Sequence, residues 1–170
     1  MAFSIRPATP ADAARLFDLI NAAYHAESGD VPPAFKFTTR FLAPEELLPG
    51  IAAGTMLLAE SPAGAALGCL SYDLLRASPQ APLRAHFGPF AVAPERQRSG
   101  VGAALLASLA AAARAAGAAS LDAEVVNHRL DILPLYLGKL GFRVVGEGPF
   151  PAPERCTRPC HFVLIRRGLA

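Results

Sequence analysis

The chain has 170 residues, 52% of them hydrophobic and 18% charged, a balance that suits one folded domain and argues against disorder. A net charge of +2 gives no reason to expect nucleic acid or an anionic membrane as a partner. Three cysteines make no disulfide framework, the longest apolar run is too short to span a bilayer, and signal-peptide grammar is missing, so a cytoplasmic protein is expected.

Residues 3–6 alternate as a short strand stopped by Pro7. Pro10 opens a helix to about Ala23, with Ala13, Leu16, Phe17, Ile20 and Tyr24 on one face and Thr9 or Asp12 near the cap. Residues 27–37 hold a glycine and two prolines without a period, which predicts a loop. Residues 44–48 read as the first turn of another helix, whose continuation Pro49 leaves open. Strands are expected at 55–60 and 66–75 around a turn at 61–64, then a loop over 76–84. A fourth strand at 86–92 contains Gly88-Pro89, a pair that belongs at an edge or a bulge. Residues 101–116 form an alanine-rich helix closed by Gly117, with Val101, Leu105, Leu109 and Ala113 facing a core. The rest predicts a strand at 120–126, a short helix at 132–140, strands at 142–147 and 161–166, and a proline-rich segment at 148–155. Such alternation within one domain, residues 1–170, means α/β or α+β.

The stretch before the long helix carries the first chemical signal. Gln97-Arg98-Ser99-Gly100-Val101-Gly102 is a tight turn whose small residues leave backbone N–H groups bare at a helix N-terminus, where the dipole favours an anion such as phosphate. Arg96 and Arg98 could add charge there, or could simply be solvated. A Walker loop would need a lysine that is missing, and a dinucleotide fingerprint would need a glycine where Leu105 stands.

The turn fits the pattern Gln/Arg-x-x-Gly-x-Gly/Ala, and Gly88-Pro89-Phe90-Ala91-Val92-Ala93-Pro94 precedes it. Downstream, Leu135-Tyr136-Leu137-Gly138-Lys139-Leu140-Gly141-Phe142 matches an LY-x-x-x-GF box. In this order and spacing the pair resembles the GNAT superfamily of acetyl-CoA-dependent N-acetyltransferases. The resemblance implies a mixed, mostly antiparallel sheet of six to seven strands, splayed between strands four and five, with helices on both faces. It also implies acetyl-CoA as co-substrate, without a metal. The pyrophosphate would lie on Gln97, Arg98, Ser99, Gly100, Val101, Gly102 and Ala103, and the pantetheine arm along Phe90, Ala91 and Val92. Asn127, Tyr136 and Lys139 would add contacts. Asn127 departs from the pattern, standing nine residues before Tyr136 where the family more often has about seven, and Lys139 reads more readily as a solvated helix lysine than as a phosphate contact.

Acetyl transfer from a thioester needs a held donor, a neutral amine, a polarised carbonyl and a protonated leaving thiolate. Tyr136 is the candidate general acid; a phenol with pKa near 10 serving a thiolate near 8.5 is uphill by about 2 kcal/mol. For the base, His86 lies four residues before Phe90 and so on its face, with Glu124 of the fifth strand as rival and water as the third choice. Cys156, Cys160 and His161 resemble zinc ligands only superficially, because a fourth ligand is missing; Cys160 as an acyl-accepting nucleophile is a further reading. The expected function is direct transfer in a ternary complex to a primary amine, the alternative being a non-catalytic acetyl-CoA or CoA sensor. A small amine with an apolar body would enter between regions 24–50 and 148–161, which carry Phe35, Phe37, Phe41 and Phe150 with Glu27, Asp30 and Glu154. A protein acceptor and a homodimer stay open.

Overall fold

A computed structural model describes residues 2–27 and 40–169. They form two compact units interleaved along the chain, the first from residues 2–27, 40–73 and 87–112, the second from 74–86 and 113–169.

In the first unit, β1 (Ser4–Pro7) pairs antiparallel with β2 (Met56–Glu60), and β2 with β3 (Ala66–Leu75). Its last strand is the later part of β4 (Arg84–Val92), the neighbour of β3. Helix α1 (Ala13–Glu27) follows a 3-10 turn at Pro10–Asp12 and puts Leu16, Leu19, Ile20 and Ala23 into a core shared with Ile51, Met56, Leu58, Cys69 and Ala91. Ile51 belongs to α2 (Leu48–Ala52), where Pro49 sits in the first turn and its missing N–H costs no helical bond. Asp12 fixes the entry to α1. Its carboxylate accepts from the Thr9 N–H at 2.7 Å, the Thr9 hydroxyl at 2.9 Å and Arg6 at 2.8 and 3.1 Å, and it also binds Arg15. Both arginines hold Glu60 as well. The Arg6 guanidinium, opposed by the cost of burial and helped by Thr9 and Arg15, keeps the Asp12 carboxyl well below the usual carboxylate range.

Helix α3 (Val101–Ala115) buries the stripe Val101, Leu105, Leu109 and Ala113, joined by Leu106 and Ala110. Gly68 lets its first turn approach the strands closely, since a Cβ there would stand 3.0 Å from both the Ala91 carbonyl oxygen and Val101 Cγ1.

In the second unit β4 begins at Arg84, two residues earlier than expected, and runs parallel to β5 (Ser120–Val126) over three pairs, Arg84–Ser120, Ala85–Leu121 and His86–Asp122, where the ladder ends. This short parallel ladder is what a splay between strands four and five requires. β7 (His161–Gly168) lies antiparallel to both β5 and β6 (Arg143–Pro149). The seven strands thus run β1-β2-β3-β4-β5-β7-β6, with β4 belonging to both units.

Several boundaries differ from the sequence reading. The helix expected at 132–140 is a π-helical turn at Leu135–Lys139, in which the Leu140 N–H reaches back to the Leu135 carbonyl at 3.1 Å. Pro134 lacks an N–H and Gly138 favours the helix weakly, so a regular helix has little to hold it there. β6 extends through Gly148 and Pro149, paired with Phe162 and His161, because an edge strand tolerates a proline at its end. The rest of the proline-rich segment contains a 3-10 turn at Pro153–Arg155. The Gly88–Pro89 peptide within β4 is cis. The loop expected over 27–37 lies outside the described residues.

Candidate active site

The turn before α3 is built almost entirely from backbone. A 3-10 turn at Pro94–Arg96 leads to an extended Gln97, after which Arg98 and Gly100 take left-handed φ values of 61° and 90°. The N-cap position is Gly100, which has no side chain to cap the helix, and Ser99 before it donates its hydroxyl to the Arg96 carbonyl. The first bond onto the helix runs from the Ala104 N–H to the Gly100 carbonyl at 3.0 Å. Among the described residues the N–H groups of Val101, Gly102 and Ala103 therefore have no acceptor, at the positive end of a 15-residue helix. That arrangement fits a pyrophosphate.

The two glycines serve different needs. Gly100 has open space around it and is required by its φ alone, whereas a Cβ on Gly102 would meet Phe90 Cζ at 3.2 Å and Val92 Cγ2 at 3.4 Å. Phe90 and Val92 are half-buried on one side of β4, while Ala91 is turned into the first unit's core and offers a ligand only its backbone. Gln97 and Arg98 are exposed.

The second unit holds the other named residues. His86 and Glu124, rivals in sequence, are neighbours: His86 Nε2 is 3.9 Å from Glu124 Oε1, because His86 is in register with Asp122 and Glu124 is two residues further along the same side of β5. Asp122 is fully engaged by Arg166 at 2.6 Å, Ser120 at 2.7 Å and Arg84 at 3.4 Å. Burial works against its ionisation, but the bonds from Arg166 and Ser120 prevail and hold its carboxyl below the usual range. Asn127 clasps the start of β7: its N–H donates to the His161 carbonyl at 3.0 Å, and its side-chain oxygen accepts from the His161 N–H at 3.1 Å. Tyr136 is 4% exposed, its ring edge-on to Phe142 with centroids 5.3 Å apart. Lys139 is exposed, with no partner among the described residues.

Sequence reasoning missed His161 as the partner of Asn127 and Arg84 and Arg166 as the partners of Asp122; only strand register brings these together. Of the expected acceptor walls, Phe41 packs against the first unit's core and Phe150 tilts against Phe162 at 5.1 Å. Glu154 lies in the 3-10 turn, while Asp30, Phe35, Phe37 and the Glu27 side chain lie outside the described residues. Burial, with a hydrogen bond to Cys156, pushes the Cys160 thiol up to about 12, and its Sγ donates to the Arg158 carbonyl, so it is no ready nucleophile. Among the described residues no cluster of three or more His, Cys, Asp or Glu could hold a metal, and no helix is long and apolar enough to cross a membrane.

The acetyltransferase (GNAT) family model matches residues 14–142. The chain belongs to this family. Its members use acetyl-CoA as co-substrate. Solved structures share the fold. One is yncA of Salmonella typhimurium, described with its cofactor acetyl-CoA, at 22% identity and TM-score 0.74 over 100% of this chain and 95% of that one. Another is Chaetomium thermophilum Naa20 in complex with a bisubstrate analogue, at 21% identity and TM-score 0.75 over 97% and 86%. A third is the ribosomal-protein-S18-alanine N-acetyltransferase of Escherichia coli, at 16% identity and TM-score 0.69 over 99% and 95%. Comparison with curated protein sequences gives no match.

Proposed function

We propose that residues 1–170 form a single N-acetyltransferase domain that moves the acetyl group of acetyl-CoA directly to a primary amine in a ternary complex. The observation carrying this reading is the set of three unpartnered N–H groups at Val101, Gly102 and Ala103, left bare because the N-cap position is Gly100, which has no side chain to accept from them. They would hold the pyrophosphate, with Arg98 adding charge from Gln97-Arg98-Ser99-Gly100. The backbone of Phe90, Ala91 and Val92 would take the pantetheine arm. Asn127 has committed its side-chain oxygen to His161, so only its Nδ2 is left for that arm. Exposed Lys139 could reach outer phosphates.

His86 or Glu124 takes the proton that the substrate ammonium must lose before its nitrogen attacks the thioester carbonyl. Tyr136 then gives its phenolic proton to the departing CoA thiolate and regains one from solvent. As the C–S bond breaks the attacking nitrogen sheds its second proton to water, so the amine loses two protons, the sulfur gains one, and the products are an amide, CoA thiol and one net proton. The acceptor we favour is a small amine with an apolar body, consistent with Phe150 on Phe162 beside the β6–β7 connection. Two of the solved relatives are named for work on proteins or carry a bisubstrate analogue, so peptides belong in the acceptor test too. The cytoplasm is the proposed location.

Calorimetric titration of acetyl-CoA into wild type, Gly100→Ala and Gly100→Glu tests the cradle. Alanine should weaken binding through backbone strain, and glutamate should abolish it by placing a carboxylate at the phosphates. Equal binding by a folded Gly100→Glu protein would move the cofactor elsewhere. Tight binding without thiol release on any amine or peptide would make the protein a sensor.

A further inference from the structure

The two candidate bases are close enough to be one device. The geometry points to a His86–Glu124 dyad in which Glu124 is a positioning residue: its carboxylate accepts the Nε2–H of His86, leaving Nδ1 as the atom that takes the proton from the acceptor amine. This inference rests on the acetyltransferase reading above and names how its base is made.

Three observations carry it. His86 Nε2 is shut off from solvent and makes no hydrogen bond, which is costly for a ring nitrogen that bears a proton. The Glu124 Oε1 carboxylate oxygen stands 3.9 Å from it. That is longer than a hydrogen bond, but the Glu124 side chain is 43% exposed, so a rotation in water closes the gap. The neighbouring acid cannot take its place. Asp122, the register partner of His86, is occupied by Arg84, Arg166 and Ser120, whereas Glu124 has no partner other than His86 among the described residues. His86 Nδ1, by contrast, is not among the enclosed nitrogens, and the ring is 34% exposed.

A carboxylate on one ring nitrogen fixes the tautomer and so leaves the other nitrogen as the proton acceptor. In the proposed step the ammonium N–H bond breaks, directly or through one water, and an N–H bond forms at Nδ1. The imidazolium so made is stabilised by the Glu124 carboxylate until Nδ1 returns its proton to solvent. Nothing else is consumed.

Long-range proton–nitrogen NMR on 15N-labelled protein tests the pairing, with the His86 signals identified by their loss in His86→Gln. Wild type should show the Nε2–H form alone, Glu124→Ala a mixture of tautomers, and Glu124→Gln, whose amide oxygen still accepts, the wild-type form. An Nδ1–H form in wild type, or a tautomer indifferent to Glu124→Ala, would overturn the dyad. Thiol release from acetyl-CoA with a panel of aliphatic and aromatic primary amines and short peptides tests its use. His86→Gln should lower kcat about 100-fold and Glu124→Ala about 10-fold, each leaving the KM for acetyl-CoA unchanged, and the double variant should lose no more than His86→Gln. Losses that multiply would mean two independent residues. If wild type releases no thiol with any acceptor, the acetyltransferase reading fails, while the NMR still decides whether the pair exists.

Discussion

The turn at 97–103 and the acid–base residues of the second unit do their proposed work by opposite means. The turn offers backbone N–H groups, exposed by two left-handed residues and by a glycine at the N-cap that has no side chain to cover them; no side chain in it needs exact placement. His86, Glu124, Asn127 and Tyr136 would act through side chains on three stretches, β4, β5 with the residue after it, and the π-helical turn, set by strand register or by that turn. The backbone site should therefore tolerate side-chain change except where a Cβ or a negative charge intrudes. The side-chain site should tolerate backbone adjustment but fail on the loss of single atoms.

Removing one atom gives the largest effect. Tyr136→Phe keeps the ring packed on Phe142 and takes away only the phenolic oxygen; kcat should fall about 1,000-fold in thiol-release assays while acetyl-CoA affinity by calorimetry stays the same. Affinity lost along with kcat would break the division between the two regions. Asp12, in neither region, supplies the contrast of a purely structural loss. Asp12→Asn leaves Arg6 and Arg15 short of a buried carboxylate and should cost about 3 kcal/mol in urea unfolding, with the kcat of the folded protein unaltered. Because Asp12 is more acidic folded than unfolded, its contribution is complete at neutral pH and drains away as pH falls below about 4. The wild-type stability curve should therefore drop more steeply on acidification than that of Asp12→Asn. Asn127→Ala comes next, at about 1 kcal/mol of stability for the His161 N–H left unpaired. If acetyl-CoA affinity does not change with it, Asn127 is a clasp for β7 and not a ligand contact.

The same contrast explains what could be read in advance. The turn at 97–103 was legible as a turn because its determinants are contiguous: a glycine needing positive φ, a second small residue, and an apolar stripe that settles the helix behind them. Even there the reason for Gly102 was hidden, since the phenyl ring of Phe90 that excludes a Cβ lies in another element. Tyr136 was legible through a short box, although its π-helical setting was not, because a proline and a glycine around it weaken the regular helix without specifying what replaces it. The pairings His86–Glu124 and Asp122–Arg166, and the clasp of Asn127 on His161, follow from which residues face each other across a sheet. No local period records that. β6 passed through Gly148 and Pro149 against their propensities because pairing with β7 outweighs them at an edge.

The smallest effect tests the backbone site at the one place where it uses a side chain. Arg98 holds φ at 61°, a conformation that costs a residue with a Cβ about 1 kcal/mol and costs glycine almost nothing. Arg98→Gly should therefore raise stability by somewhat under about 1 kcal/mol, part of the relief being returned as greater freedom of the unfolded chain. The guanidinium is exposed, so its loss should weaken acetyl-CoA only about threefold, and less at high salt, where an exposed charge is screened. A variant that is more stable yet binds slightly less well is the signature of strain kept for a charge. One that gains stability without losing affinity would leave the whole hold on the pyrophosphate to the N–H groups of Val101, Gly102 and Ala103.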